Sequence, residues 1–315
     1  MKRVFTRLGL LAAGCVVLGL AGCTAPAFPP TITPIYATTT TGLQVFNGTT
    51  WSASTTVNGL PTNNLTSLLV IGSGAGAEVI AGTASGGVSL WDGKTWGTWT
   101  TNDGLGSNAV NGLFLGPSLF AATASGLSTL AQDGSSPAWT TSLPGTPISA
   151  VYAQGSQTWV AADKLYVFNG STQEAQSPFA PSAIVAGSTK VTAVFVDSVE
   201  DVFAGTDAGL GALSPGAGSF ITLVAGTAVN GIVMDSGGTL YAATSSGLFI
   251  LTSSTTTQSL SGTNVTCVCV DGAGTIYAGT NTGLRISRNA GASWTTQLQG
   301  DFITAVTTTA PLYLF

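Results

Sequence analysis

Histidine is absent from the 315 residues, which removes the commonest general base, the usual transition-metal ligand and the middle member of most nucleophile triads. Carboxylates and two thiols are the chemistry that remains. Asp197, Asp235 and Asp271 each follow a short apolar run, and Glu200 stands beside Asp201. Paired carboxylates could pass a proton or hold calcium. All of these, however, fall between strand-like runs, where Asp side chains accept backbone N–H groups, so turn formation is their expected role. Cys267 and Cys269 lie two apart in VTCVCVD. As strand residues they share one face with Cα atoms roughly 6 to 7 Å apart, a poor geometry for a mutual disulfide. They read as small buried residues, and two Cys without His make a poor zinc set. GSGAG, from Gly72 to Gly76, has no helix after it to supply an anion-binding N-terminus and reads as a turn. The expectation is a chain with no catalytic residue, no metal and no cofactor.

The elements that must carry these residues repeat. A β-branched or aromatic pair, two small residues, Thr, a short loop and Gly-Leu recur as IYATTTTGL (Ile35–Leu43), VIAGTASGGV (Val79–Val88), LFAATASGL (Leu119–Leu127), VFAGTDAGL (Val202–Leu210), LYAATSSGL (Leu240–Leu248) and IYAGTNTGL (Ile276–Leu284). A degenerate copy, WVAADKL (Trp159–Leu165), fills the one gap. Taking Thr38, Thr83, Thr123, Asp163, Thr206, Thr244 and Thr280 as equivalent gives steps of 45, 40, 40, 43, 38 and 36 residues. Between signatures lies a second recurrent run, apolar on both faces, typified by VTAVFVD from Val191 and VNGIVMD from Val229. The stretch 79–116 contains four short strand-like runs and reads as a meander. Periods near forty with four strands each predict an all-β fold, a seven-bladed β-propeller of four-stranded antiparallel blades.

Residue types suit places in such a ring. Ala-Gly and Ala-Ala pairs fit the crowded centre, whereas Trp51, Trp96, Trp99, Trp139 and Trp294, late in their repeats, fit the wide rim. Asn47-Gly48, Asp92-Gly93, Asp133-Gly134 and Asn169-Gly170 are hairpin turns. The first repeat has no inner strand ahead of it and the last has a spare one, Ile303 to Thr309, so the C-terminal strand should join the N-terminal blade and close the ring. Pro311 to Phe315 resembles a further signature strand that could displace Ile35–Thr38 or lie beside it.

The first residues differ in kind. Lys2, Arg3 and Arg7 precede an apolar run from Leu8 to Leu20, the order of an export signal and too short to span a bilayer. The run ends in Leu20-Ala21-Gly22-Cys23, which resembles the lipobox of bacterial lipoproteins. That resemblance implies a signal peptide over 1–22, lipidation of Cys23 and, with Thr24 rather than Asp following, the outer membrane. Residues 23–34 then form the lipidated Cys and a Pro-rich spacer, and 35–315 the propeller domain. After the signal, five basic residues face all thirteen acidic ones, a net charge of −8, which leaves no basic stripe for nucleic acid.

Two further resemblances concern the repeats. Trp91–Gly116, with its partner Phe46–Gly72, is similar to the two-component regulator propeller repeat and its DGK-W, T-x-DGL-x-SN-x-V run. Ser287 to Trp294 (SRNAGASW) resembles the Asp-box of sialidase-like propellers, with Asn289 where that motif has Asp. The first implies a sensing domain; the second implies a turn at the rim and no glycosidase chemistry, for which Arg285 and Arg288 would be too few arginines.

The expected function is therefore that of a non-catalytic, lipid-anchored envelope protein, on the periplasmic side or the cell surface, whose propeller binds another envelope protein. The alternative is a module sensing a glycan or peptide, and a more distant one is a hydrolase or lyase on a propeller fold, which would need carboxylates converging on one face of the ring. Trp159, in the degenerate repeat, is the aromatic that repetition explains least and is the candidate ligand contact, beside the irregular insert from Ser171 to Ser188. Cys23→Ser should abolish incorporation of radiolabelled palmitate and release the protein from the membrane fraction; label retained in the variant would refute lipidation at Cys23.

Overall fold

The computed structural model describes residues 33–72, 76–131, 138–169 and 176–308. The signal, Cys23 and most of the spacer, the Asp133-Gly134 turn, Gly170 and Pro311–Phe315 lie outside the described residues. The described residues form seven four-stranded antiparallel sheets. From the axis outward, blade 1 consists of Ile303–Thr308, Ile35–Thr39, Gly42–Phe46 and Trp51–Ser54. The C-terminal strand thus pairs with Ile35–Thr39, and the ring closes as the repeat count requires. Blades 2 to 7 span residues 65–99, 110–142, 150–179, 191–225, 229–259 and 265–297. Their inner strands are Leu65–Ile71, Val110–Leu115, Ala150–Gln154, Val191–Val196, Val229–Met234 and Val265–Val270. The four runs in 79–116 do not share one sheet: the first three belong to blade 2, and the fourth is the inner strand of blade 3.

Each blade buries both faces against its neighbours, which is why its strands are apolar without clean alternation. Seven apolar clusters fill the seven interfaces. Ala37, Ala81, Ala121, Ala204, Ala242 and Ala278, at one position of the signature, are all fully buried and each faces the preceding blade. The next residue is small because the following blade approaches it. A Cβ added at Gly205 would stand 2.6 Å from Val229 Cγ1, the first residue of the next inner strand, and one at Gly279 would stand 2.8 Å from Ile303 Cγ2. At the rim, Trp99 and Trp139 from adjacent outer strands meet edge to face at 6.1 Å. Trp51 Nε1 donates to Gln297 Oε1 across the closing interface at 3.3 Å.

The signature Thr fixes its own turn. Thr83, Thr123, Thr206, Thr244 and Thr280 are fully buried, and each hydroxyl donates to the carbonyl of the Gly three or four residues on, at 2.7 to 3.0 Å. Each also accepts a loop N–H. In blade 1 this residue is Thr39, which donates to Gly42 O at 3.0 Å, and not Thr38. In blade 4 the position belongs to Ala162 and not Asp163, since Ala162 N bonds Lys164 O across a shorter turn, as Thr83 N bonds Gly87 O. Both corrections shift the sequence alignment by one residue.

A second device appears at the axis. In six blades the inner strand bulges at its second residue, breaking register with the neighbouring strand. The bulged residues are Thr66, Asn111, Thr192, Asn230, Thr266 and Thr304. Their side chains donate to the carbonyl of the first inner-strand residue in the next blade: Val110 (2.5 Å), Ile148 (2.7 Å), Val229 (2.6 Å), Val265 (2.7 Å), Ile303 (2.6 Å) and Leu65 (2.7 Å). A belt of hydrogen bonds therefore runs from blade to blade around the axis. Ser149 holds the seventh position, and among the described residues it makes no such bond.

Replacing Thr266 with Val keeps the shape but leaves Ile303 O without its donor, which should lower unfolding free energy by about 1–2 kcal/mol. Denaturant melts should show a lower midpoint at unchanged slope. Thr256→Val, at an exposed outer-strand site, should stay within about 0.5 kcal/mol of the parent.

Candidate functional site

One face of the ring carries the signature turns and the linkers from each outer strand to the next inner strand. The opposite face carries the turns in which Asp197, Asp235 and Asp271 stand. In these turns, Asp235 Oδ1 accepts the N–H groups of Gly237 and Thr239, both at 2.9 Å, and Oδ2 accepts the Tyr241 hydroxyl at 2.9 Å. Asp271 repeats this with Ala273, Thr275 and the Tyr277 hydroxyl. Asp197 accepts from Val199 N and Asp201 N, and Phe203 takes the place of the tyrosine. Glu200 occupies the left-handed conformation in that turn (φ 68). The carboxylates are turn formers, as their placement in the sequence predicts.

The same holds elsewhere. Asp92 Oδ1 accepts Lys94 N and Thr95 N at 2.9 and 2.8 Å, and these backbone donors hold its pKa below the usual carboxylate value. Asp103 belongs to a capped turn in the linker after blade 2. It accepts Thr100 N at 2.8 Å while Thr100 Oγ1 accepts Asn102 N, and Gly104 closes the turn at φ 92. Thr55, Asn58 and Gly59 build the same turn after blade 1. Asp207, in the signature turn of blade 5, accepts Thr189 N at 2.9 Å together with the Thr189 hydroxyl. Burial pushes its pKa up, but these donors outweigh it and the net shift is downward.

The remaining candidates are packing residues. Trp159 is 7% exposed, inside the cluster between blades 4 and 5 with Leu165, Ile184 and Val185. The structure therefore does not present its ring on an open face. Of the insert, residues 171–175 lie outside the described residues. Residues 181–188 turn inward, burying Ile184, Val185 and Ser188. Cys267 and Cys269 are free thiols on the inner strand of blade 7, and burial pushes both up to about 12, so they stay protonated.

The motif from Ser287 to Trp294 forms a rim turn. Ser287 Oγ accepts Gly291 N at 2.9 Å, and Asn289 Oδ1 accepts Ser293 N at 2.9 Å. Trp294 Nε1 donates to Ser259 Oγ of blade 6 at 2.8 Å, so the motif also clasps two blades. Arg285 reaches the Thr296 hydroxyl, and Arg288 is exposed. Among the described residues no three His, Cys, Asp or Glu side chains gather as metal ligands would, and no helix is long and apolar enough to cross a membrane.

The two component regulator propeller family matches residues 259–282, the linker into blade 7 with its first two strands. The sequence resemblance noted above lies in blades 1 to 3 and shares with this match the linker and inner strand. Among curated proteins no sequence matches. Among solved structures, the extracellular domain of the one component system BT4673 of B. thetaiotaomicron is similar at 15% identity and a TM-score of 0.62, over 78% of this chain and 38% of that one. The extracellular domain of the hybrid two component system BT3049 of the same organism is 15% identical, with a TM-score of 0.61, over 85% and 46%. PorZ of Porphyromonas gingivalis, a surface component of the type-IX secretion system, is 14% identical with a TM-score of 0.58, over 83% and 50%. The chain thus spans half or less of those chains' length. At these identities the likeness is one of fold alone.

Tyr241 and Tyr277 carry a pH signature. Burial first, then the hydrogen bond to Asp235, pushes Tyr241 up to about 12, and the same causes with Asp271 raise Tyr277. Unfolded tyrosine ionises near 10. Stability should therefore be unaffected by these groups below about pH 10 and fall as pH rises towards 12, because the unfolded chain loses its protons first. The pair Tyr241→Phe and Tyr277→Phe should flatten that decline in denaturant melts from pH 9 to 12; an unchanged slope would show that neither hydroxyl is held neutral by the folded chain.

Proposed function

We propose that the chain is a non-catalytic binding module of the cell envelope, exported and lipid-anchored at Cys23, whose propeller docks another envelope protein. One observation carries this reading: the carboxylates placed at its turns are occupied by backbone N–H groups and tyrosine hydroxyls, so the site residues build surfaces. The surface is one of Thr, Ser, Asn and backbone groups, since charged residues are only 7% of the chain. Such a surface recognises a partner by shape and neutral hydrogen bonds, with little electrostatic steering. The likeness to an envelope secretion component and to extracellular sensor domains supports an address outside the cytoplasm.

The regulator-propeller match favours a second reading, a module that senses a glycan or peptide. Affinity capture of the tagged, mature protein from detergent-solubilised membranes should recover one envelope protein in stoichiometric yield, insensitive to salt between about 0.1 and 0.5 M because few charges are involved. Capture of none across several detergents, with a glycan or peptide array giving a hit that raises the melting temperature, would reverse the order of the two readings.

A further inference from the structure

The interface between blades 4 and 5 is built differently from the other six. Ser149 stands at the belt position, just before the paired strand Ala150–Gln154, and Val191 O receives no side-chain donor among the described residues. Ala162, whose side chain packs in the cluster between blades 3 and 4, replaces the signature Thr, so the turn that follows it in blade 4 lacks its hydroxyl bridge. Trp159 Nε1 is buried at the 4–5 interface with no acceptor among the described residues, as Trp139 Nε1 is at the 2–3 interface. The outer strand of blade 4, Gln176–Phe179, pairs irregularly, with Leu165 opposite Phe179 and Val167 opposite Gln176.

What holds the two blades is mostly apolar. Two hydrogen bonds cross among the described residues, from Val191 N to Ala162 O at 2.9 Å and from Gln154 Nε2 to Asp197 O at 3.0 Å. Tyr152 and Phe195 meet edge to face at 5.1 Å. A further contact is a latch. Residues 181–188 fold back over the seam, tied by the Ser188 hydroxyl to Pro181 O and Val185 O, both at 2.6 Å. Ile184 enters a socket at Gly211, where a Cβ would lie 2.8 Å from Ile184 Cγ2, and Phe179 packs edge-on against Phe220 at 5.3 Å. Blades 1, 2, 3, 4, 6 and 7 have Gln44, Ser89, Ser128, Tyr166, Phe249 and Arg285 at the position of Gly211, so the socket is particular to blade 5.

We propose that the ring opens locally between blades 4 and 5, with Ile184 in the Gly211 socket as the latch that keeps it shut. Apolar contacts are non-directional and tolerate sliding, whereas the belt bonds fix each remaining interface in one register. Local opening draws on the part of a structure with the fewest fixed bonds, and a ring open at one joint can admit a partner segment that a closed ring excludes.

Ala204, Ala242 and Ala278 occupy one repeat position and are fully buried at the 4–5, 5–6 and 6–7 interfaces. Each is replaced singly with Cys, and labelling by a small maleimide under native conditions is read site by site through peptide mass. A204C should react at least about tenfold faster than A242C and A278C, adding Ile184→Ala should speed it further, and Ser149→Thr should slow it. In the unaltered protein, the amide of Val191, bonded across the seam, should exchange with deuterium faster than that of Ile148, which makes the matching bond to Thr123 O at the 3–4 interface. Equal labelling at the three cysteines, or a Val191 amide as protected as that of Ile148, would overturn the proposal. The amide comparison decides the matter should a cysteine variant not fold.

Discussion

The rest of the ring depends on a set of hydrogen bonds that a regular strand could not make. The inner strand of each blade is a sheet edge, and the carbonyl of its first residue has no partner in its own sheet. A regular strand would send its second side chain into a blade face. The bulge inserts one residue, turns that side chain along the ring and brings Thr or Asn within 2.5 to 2.7 Å of the next blade's carbonyl. Each link contributes about 1 kcal/mol by itself. Its larger effect is to fix register. Seven apolar clusters would hold the blades together over a range of small rotations, and the belt selects one of them.

That constraint reaches outward to residue choice. Blades locked so closely at the axis need small residues where they meet: Gly or Ala precedes the signature Thr in blades 2, 3, 5, 6 and 7, and Val229 and Ile303 would collide with a Cβ at Gly205 and Gly279. The Thr that follows is fully buried, and its hydroxyl both donates to and accepts from the loop backbone. At the rim, where blades diverge, the same register is kept by larger groups: Trp99 on Trp139, Trp51 on Gln297 and Trp294 on Ser259. The aspartates on the opposite face complete this economy of satisfied backbone groups, which leaves them little freedom for other chemistry.

Strand number, blade number, ring closure and the turn role of the aspartates were legible in the sequence, because each rests on a local rule repeated seven times. Errors arose where one copy departs from the rule. The run of four threonines from Thr38 to Thr41 offers no internal mark of which one faces Gly42, and only pairing against Gly42–Phe46 settles it. In WVAADKL the turn is shorter, so a residue-type match favoured Asp163 over Ala162. Bulges leave a weak trace: the belt residues read as T, N, S, T, N, T and T across the repeats, a polar position next to a buried Val, Leu or Ile. That trace could have been found. The socket for Ile184 could not, since a glycine that accepts a side chain from a distant insert looks like any other strand glycine.

The departures in blade 4 also bear on Trp159. An aromatic outside the repeated pattern suggested a ligand platform, yet its ring fills space that the insert then seals with Ile184 and Val185. Loss of the signature Thr, loss of the belt bond and gain of the insert coincide in this one blade. The turn after Ala162 is shorter, Ser149 makes no belt bond among the described residues, and the insert adds apolar cover at the seam with blade 5. A ring of otherwise uniform joints with one joint of different chemistry is asymmetric by construction. The asymmetry, rather than any single exposed side chain, is what distinguishes one part of this surface from the other six.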